Sequence, residues 1–401
     1  MRTSKAIMPI LVSLLLVAYG YASVNMSLPA IPSLASEFHV SLNTVKLTIS
    51  YYMFALAAGE VIWGFLADYQ GRIRVVMIAL LISVIGSIVT ALSTDVGLFC
   101  AGRILEGLGA GVAVVYARLI LTDHTTGNKL HLGMTYVVII AALMPGIAPV
   151  IGGYLLAAID WQSIFWVLVV FAMVMQFLSR RVYYHGHTEN QVKRLSFDIV
   201  KADFKALFKC RAFVGNVLAF GCSLGMILTF YAVAPFIFIT HLKISSSHYG
   251  YILLISGGAY LLGALCDGQL ARKDKSRWGL FLGYGSLVIA CITGIVFSIF
   301  APLAVWSVMT PIFFVCFGGG FLSPAFSSKA LDSAGKQRGL GSALTPFSAM
   351  LCSSICSAVL SPRLLEHLWS LGIFIIVLSV LSFVFFLWTR TGAAKDQELK
   401  A

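Results

Sequence analysis

Ionisable side chains within apolar segments are the residues of this 401-residue sequence best suited to chemistry. Arg103 and Glu106 stand three positions apart, which places them on one face of a helix. An arginine inside a membrane span costs at least about 2.5 kcal/mol, so Arg103 must face protein or water. The two side chains can pair, either as a structural link between helices or as groups for which proton and substrate compete.

Glu60 is the other acidic residue well inside an apolar segment. It follows Ala57, Ala58 and Gly59, small residues that suit a close helix contact. The remaining acidic residues lie at segment ends or in loops. Two interpretations are open for Glu60: a neutral buried acid bonded to a polar neighbour, or a proton carrier. No metal site is predicted, since the pair Cys352 and Cys356 is more typical of helix packing.

The composition shows which elements position these residues. Hydrophobic residues make up 59% of the chain and charged residues 11%, against about 45–50% and about 25% in soluble domains. This excludes a soluble enzyme, a secreted domain and a disordered scaffold. The apolar blocks are long enough for membrane helices of about 20 residues. Twelve spans are predicted, at 6–27, 46–67, 75–93, 97–118, 132–157, 161–182, 212–239, 248–266, 278–299, 302–325, 340–361 and 368–389.

The spans predict an all-α membrane protein with twelve transmembrane helices in two pseudo-symmetric six-helix bundles. The N-terminal bundle covers 1–182, a polar cytoplasmic linker 183–211, and the C-terminal bundle with a short tail 212–401. Apolar residues at helical spacing in the linker predict an amphipathic helix on the inner leaflet. Most of the 28 lysines and arginines fall on one side, which predicts cytoplasmic termini. The net charge of +12 is therefore a topology signal and does not indicate nucleic-acid binding.

A short segment after span 2 combines glycines with charged residues. Its glycines allow close helix approach and a tight loop, while its aspartate can meet a helix N-terminus. Its arginines can form ion pairs with carboxylates at neighbouring helix ends, and these pairs would act as a latch that holds the cytoplasmic side closed. The alternative is a tight loop whose positive charges reflect only the positive-inside bias. The segment contains Gly64, Asp68, Gly71, Arg72 and Arg74.

The second half of the chain repeats part of this segment. Gly263 and Asp267 at the end of span 8 have the spacing of Gly64 and Asp68. A repeat of six spans per half, with the substrate site between the halves, is a known transporter plan. The sequence therefore predicts a duplicated transport unit.

The segment from Gly64 to Arg74 resembles the loop 2–3 signature of the major facilitator superfamily, and the twelve-span layout is similar over essentially the whole chain. Residues 103–110 resemble the span 4 signature R-x-x-Q-G-x-G-A of drug:proton antiporters, with Glu106 where glutamine is usual. The segment Leu-Pro-Ala-Ile-Pro at 28–32 is similar to the bicyclomycin/chloramphenicol-resistance (Bcr/CflA) efflux branch. Arg118 followed by Asp123 after span 4 strengthens this similarity.

Span 5 resembles the antiporter signature G-P-x-x-G-G, with Ala148 in place of its first glycine. Prolines here would bend the helix, and glycines would let it pack closely on a partner. Such packing could seal one face against ion leak. The residues concerned are Pro145, Gly146, Pro149, Gly152 and Gly153.

One residue departs from the branch that this chain resembles. The branch usually carries an acid in span 1 before the Leu-Pro segment, whereas this chain has Asn25, which cannot take up a proton near neutral pH. Coupling of transport to proton movement would then depend on Glu60 or Glu106, or the mechanism would differ from that of the branch. We expect Asn25, Arg103, Tyr231 and Phe236 to line the substrate cavity.

The resemblance implies an inner-membrane, proton-coupled exporter of amphipathic organic molecules that works by alternating access. Its partners would be the lipid bilayer, protons and a small-molecule substrate, without a cofactor, and we expect a monomer. Alternatives are an exporter dedicated to an endogenous metabolite or siderophore, and an importer. A polytopic membrane enzyme is a remote alternative, because the loops carry their acidic residues singly.

Overall fold

The computed structural model describes residues 4–125, 127–184, 197–273, 275–300, 304–335, 338–360 and 368–398. Each helix of the first half is followed closely by the next. They are α1 (Ser4–Asn25), α2 (Ile31–Glu37), α3 (Leu42–Gln70), α4 (Arg72–Ala91), α5 (Val96–Ala110), α6 (Val112–His124), α7 (Gly127–Ala158) and α8 (Gln162–Tyr184). A 3₁₀ turn, Leu28–Ala30, joins α1 to α2.

The regular elements in the described part of the second half are also helices. A π-helical turn at Phe236–His241 extends the first long helix of this half. The helices are α9 (Phe197–Lys209), α10 (Arg211–Pro235), α11 (Ser246–Arg272), α12 (Ser276–Phe300), α13 (Val305–Ser333), α14 (Arg338–Val359) and α15 (Leu368–Glu398).

Most of these helices match the predicted membrane spans. Within the described ranges, eleven helical segments are long and apolar enough to cross a membrane, and Ala343–Val359 is a shorter apolar segment. This shorter segment lies within the predicted eleventh span. The prediction of an all-α, multi-pass membrane protein is therefore confirmed, and the described helices match the twelve predicted spans as eleven long segments and one shorter segment.

Local sequence explains where several helices begin and end. Asp95 caps α5 by accepting hydrogen bonds from the backbone N–H groups of Gly97 and Leu98 at 2.8 and 3.0 Å. Helix α1 ends at Asn25, because Pro29 has no N–H group to continue the ladder. The predicted fourth span is divided at Gly111 into α5 and α6.

The chain divides into two compact units. Unit 1 contains Met1–Leu195 together with Lys243–Leu254, and unit 2 contains Ser196–Leu242 together with Ile255–Ala401. The division predicted at 1–182, 183–211 and 212–401 stays a prediction, and residues 185–196 of the linker lie outside the described ranges.

Glycines bring α5 into backbone contact with its two neighbours in unit 1. A Cβ atom at Gly107 would lie 2.7 Å from the carbonyl oxygen of Tyr52 on α3. One at Gly109 would collide with the backbone of Ser83 on α4. Helix α5 therefore lies between α3 and α4 at a separation that only glycine permits, and this positions the charged residues of α5.

The linker helix α9 packs partly on protein. Leu207 is buried in a cluster with Phe213, Val217 and Leu344 of unit 2. Phe208, by contrast, is 61% exposed. The predicted helix is thus present and part of its apolar face packs on unit 2, while its place on the inner leaflet stays a prediction.

Candidate functional site

Arg103 and Glu106 form a buried ion pair in unit 1. Nη1 of Arg103 lies 2.7 Å from Oε2 of Glu106, one helical turn away on α5. The two side chains are 2% and 0% exposed. Both charges thus lie inside the protein, where an isolated charge would be strongly destabilising.

Three other helices hold the Arg103 guanidinium group. Nη1 also donates to the backbone carbonyl of Ser23 at 3.2 Å. This carbonyl belongs to the last turn of α1, where carbonyl groups lack partners within the helix. The guanidinium carbon lies 3.8 Å from the ring centroid of Tyr52 on α3 and 5.6 Å from that of Phe165 on α8. Arg103 is therefore bound by a helix C-terminus and two aromatic faces.

Tyrosine and serine hydroxyls tie the surrounding helices together. Tyr52 donates to Oγ of Ser23 at 2.7 Å, which fixes the ring against Arg103. Oγ of Ser83 donates to the backbone carbonyl of Glu106 at 3.1 Å. Since this uses the only proton of Ser83, the hydroxyl of Tyr19 donates to Ser83 across 2.6 Å. Helices α1, α3, α4 and α5 thus share one polar network around the ion pair.

The second carboxylate oxygen of Glu106 is less well satisfied. Ser87 on α4 faces this carboxylate. Within the described structure, however, neither Oε1 of Glu106 nor the hydroxyl of Ser87 forms a well-aligned hydrogen bond. A buried acceptor in this state costs about 1–3 kcal/mol. Oε1 of Glu106 is therefore an atom that an arriving proton or donor group would stabilise.

Glu60 lies in the interior of the same unit. It is 2% exposed, and its Oε2 atom has no hydrogen-bond partner in the part of the chain that the structure describes. Arg118, which is exposed, acts on Glu60 electrostatically. Nearby, Trp63 on α3 donates to the carbonyl of Leu108 on α5 at 2.6 Å. The structure places Glu60 inside the protein but leaves both interpretations of its role as predictions.

An aromatic cluster connects the short helix α2 with the Arg103 environment. The rings of Phe38, Phe99 and Trp161 lie 5.7 to 5.8 Å apart, and Phe99 lies 5.7 Å from Phe165. Trp161 also donates to Oε2 of Glu37 at 2.5 Å. The sequence did not indicate this cluster, because its members come from four separate helices and loops.

The segment after span 2 forms an ion pair across helices. Arg72 at the start of α4 pairs with Asp123 near the end of α6. Gly71 has φ +85°, a left-handed conformation that favours glycine, and it lets α3 turn directly into α4. Arg74 and Arg118 are exposed. The structure thus joins Arg72 and Asp123, while the latch function stays a prediction.

The other residues of this segment are less informative. Gly64 is half-buried on α3, and the side chain of Asp68 lies outside the described parts of the structure.

In unit 2, Asp267 is 9% exposed and its carboxylate occupies the space beside Gly279 on α12. Lys329 supplies a positive charge nearby. Asp267 is therefore buried at a helix–helix contact.

The proline- and glycine-rich segment lies within one long helix. Pro145 and Pro149 are both inside α7, so they do not end it. A Cβ atom at Gly152 would collide with the carbonyl oxygen of Met26, and one at Gly146 would lie 2.6 Å from the side chain of Leu254 on α11. Gly153 is buried. This segment thus lies so close to the end of α1 and to the first turns of α11 that a Cβ atom at these glycines would not fit.

The remaining predicted cavity residues are buried. Nδ2 of Asn25 donates to the carbonyl of Tyr21 at 2.8 Å, within unit 1. In unit 2, Tyr231 accepts a hydrogen bond from Ser256 at 3.3 Å, and Phe236 is 1% exposed. Their contact with a substrate stays a prediction.

The Arg72–Asp123 pair offers a direct test. We expect Asp123→Asn to slow transport several-fold with little effect on stability, because a partly exposed pair contributes up to about 1 kcal/mol. The exchanged variant Arg72→Asp with Asp123→Arg should recover activity, since it restores the attraction between α4 and α6. Initial transport rates and unfolding midpoints in detergent measure both effects. An exchanged variant as slow as Asp123→Asn would contradict a role for this attraction.

Apolar helices long enough to cross a membrane in both units, with a buried ionisable pair inside unit 1, are typical of a multi-pass membrane transport protein. The chain belongs to the Major Facilitator Superfamily, whose family model matches residues 13–355. This is a family of transporters and not an enzyme class.

Several known proteins are similar to this chain. An uncharacterised transporter of the same superfamily from Bacillus subtilis, YdgK, is 26% identical over 86% of each chain. A bicyclomycin resistance protein homologue from Haemophilus influenzae is 23% identical over 78% of this chain and 77% of the relative. The multidrug resistance protein MdtL from Escherichia coli is 27% identical over 59% and 60%.

Solved structures show the same fold. A D-xylose-proton symporter superposes with a TM-score of 0.71 at 14% identity, over 94% of this chain and 97% of the symporter. At this identity the likeness concerns the fold alone.

Proposed function

We propose that this protein is a proton-coupled exporter of amphipathic small organic molecules in a bacterial-type cytoplasmic membrane, with both termini cytoplasmic. The observation that carries the proposal is the Arg103–Glu106 ion pair, which is buried on α5 and leaves Oε1 of Glu106 without a well-formed hydrogen bond. The names of two relatives, a bicyclomycin resistance protein homologue and a multidrug resistance protein, support export of drugs.

The contacts of Arg103 support proton coupling. A proton on Glu106 removes the negative charge opposite Arg103, which then keeps only the Ser23 carbonyl and the aromatic faces. Proton and substrate would thus favour different conformations by differential affinity. A proton that moves inward across a membrane potential of about 100 mV supplies about 2.3 kcal/mol of free energy. No cofactor or metal takes part in this mechanism, and a monomer suffices for it.

Transport into inside-out membrane vesicles tests the proposal. With an imposed pH gradient, acidic inside, wild-type vesicles should accumulate ethidium, a fluorescent aromatic cation. We expect Glu106→Gln to lower gradient-driven uptake at least tenfold, because the amide cannot take up the proton. Glu60→Gln shows whether the second buried acid also carries protons. Asp332→Asn, at an exposed acid near the end of α13, is the matched control.

A second measurement separates coupling from folding. Exchange of labelled for unlabelled ethidium without a gradient needs substrate binding but no net proton movement. Glu106→Gln should therefore retain exchange while it loses gradient-driven uptake. Gradient-driven uptake that survives in both Glu60→Gln and Glu106→Gln would refute these residues as proton carriers.

Import is the second candidate function, because Ala148 stands where the antiporter signature has its first glycine. Growth with added toxic solutes distinguishes the two directions. Overexpression of an exporter protects cells, whereas overexpression of an importer sensitises them.

A further inference from the structure

Unit 2 contains a groove that the transport mechanism does not use. It lies between α12 and α15, has a volume of about 450 Å³, and opens to the outside of the unit. This volume is within the range of about 300–1,000 Å³ that is typical of ligand sites. Its principal lining residues are Arg277, Phe281, Tyr284, Gly285, Phe383 and Phe386.

The walls of the groove are apolar and accessible. Phe281 is 69% exposed and Phe383 is 44% exposed. The Tyr284 ring lies 5.1 Å from that of Phe383, edge to face. Its hydroxyl donates to the backbone carbonyl of Ser382 at 3.1 Å, so the polar atom of Tyr284 is bonded to α15. The groove therefore presents aromatic and aliphatic surface to the hydrocarbon region of a membrane.

One end of the groove is basic. Arg277 lines it in the first turn of α12, where the helix N-terminus adds partial positive charge. Lys273 and Lys275 are exposed just before this helix. Trp278 is 59% exposed, as is typical of a residue at the membrane–water interface. The acidic neighbour Asp267 faces Gly279 and has Lys329 as an opposite charge.

We propose that this groove binds one anionic glycerophospholipid. Its phosphate group pairs with Arg277, and one acyl chain lies along Phe281, Tyr284 and Phe383. Basic pockets between membrane helices bind anionic headgroups in this way. The positive end of the groove favours a lipid with net negative charge over a zwitterionic lipid, and the apolar channel behind it favours a lipid over a free phosphate ion.

Gly285 provides a selective way to fill the groove. A Cβ atom at this position meets no other atom within 4 Å, so a side chain here starts in open space, and we expect a leucine to occupy part of the groove. Leucine also favours helices more than glycine does, so the change does not weaken α12. Gly268 on α11 is an exposed helical glycine with equally open surroundings, and it serves as the matched control.

Native mass spectrometry of the full-length protein in detergent measures the bound lipid. With equal amounts of phosphatidylglycerol and phosphatidylcholine, we expect the wild-type protein to retain at least fivefold more phosphatidylglycerol. Gly285→Leu should lower this retention at least fivefold, while Gly268→Leu leaves it unchanged. Arg277→Gln should abolish the preference between the lipids, while Lys275→Gln, outside the lining, keeps it.

Two results would overturn the proposal. One is equal retention of the two lipids by the wild-type protein. The other is equal phosphatidylglycerol retention by Gly285→Leu and Gly268→Leu when both variants have the wild-type unfolding midpoint. Inorganic phosphate added as a competitor should not displace the lipid, and displacement by phosphate would assign the site to a free anion.

Discussion

Replacement of Arg103 by methionine should destabilise the protein by about 3–5 kcal/mol and abolish gradient-driven transport. The change leaves the Glu106 carboxylate at 0% exposure without its cation, and breaking one side of a buried pair has a cost of this size. Glu106→Gln should cost less, because Arg103 keeps the Ser23 carbonyl and the Tyr52 ring.

The double variant Arg103→Met with Glu106→Gln separates charge from packing. It contains no unpaired charge, so we expect it to be more stable than Arg103→Met alone while it remains inactive. Denaturant titration in mixed micelles measures the free energy of unfolding, and the four proteins form a double-mutant cycle.

An exposed arginine of the same unit is the control. Arg74→Met, at the start of α4, should change the free energy of unfolding by no more than about 0.5 kcal/mol. Equal stability of Arg103→Met and Arg74→Met would show that the buried pair does not stabilise the folded state in the way proposed.

Replacement of Gly109 by alanine should destabilise the protein by about 3 kcal/mol, the upper end of the range for overpacking. The added methyl group would collide with the backbone of Ala79 and Ser83 on α4. Backbone atoms cannot rotate away as a flexible side chain can, so α5 must move. Such a movement would also stretch the bond from Ser83 to the Glu106 carbonyl, and we expect transport to fall with stability.

The same substitution at Gly258 is the matched control. This glycine also lies within a long helix, but a Cβ atom there meets nothing within 4 Å. Gly258→Ala should therefore stabilise the protein by about 0.5–1 kcal/mol, the usual gain for alanine over glycine in a helix. The unfolding titration compares both variants, and equal effects at the two glycines would contradict close packing of α5 on α4.

The sequence by itself determined those features that depend on local pattern. Hydropathy placed the membrane helices, because each span must bury its own apolar surface and satisfy its own backbone. The spacing of Arg103 and Glu106 predicted their pairing, since residues three apart meet on a helix. The apolar positions of the linker likewise predicted α9, although they did not show that Leu207 packs on unit 2 rather than on lipid.

Only the tertiary structure decided which groups surround the buried pair. Arg103 meets the Ser23 carbonyl 80 residues away, and Tyr52 meets Ser23 across 29 residues. The one signal of these contacts in the sequence is that Tyr19 and Ser23 are four residues apart, which places them on the same face of α1. No periodicity within a helix specifies which neighbour that face meets, because glycine contacts and chain topology set the pairing of helices.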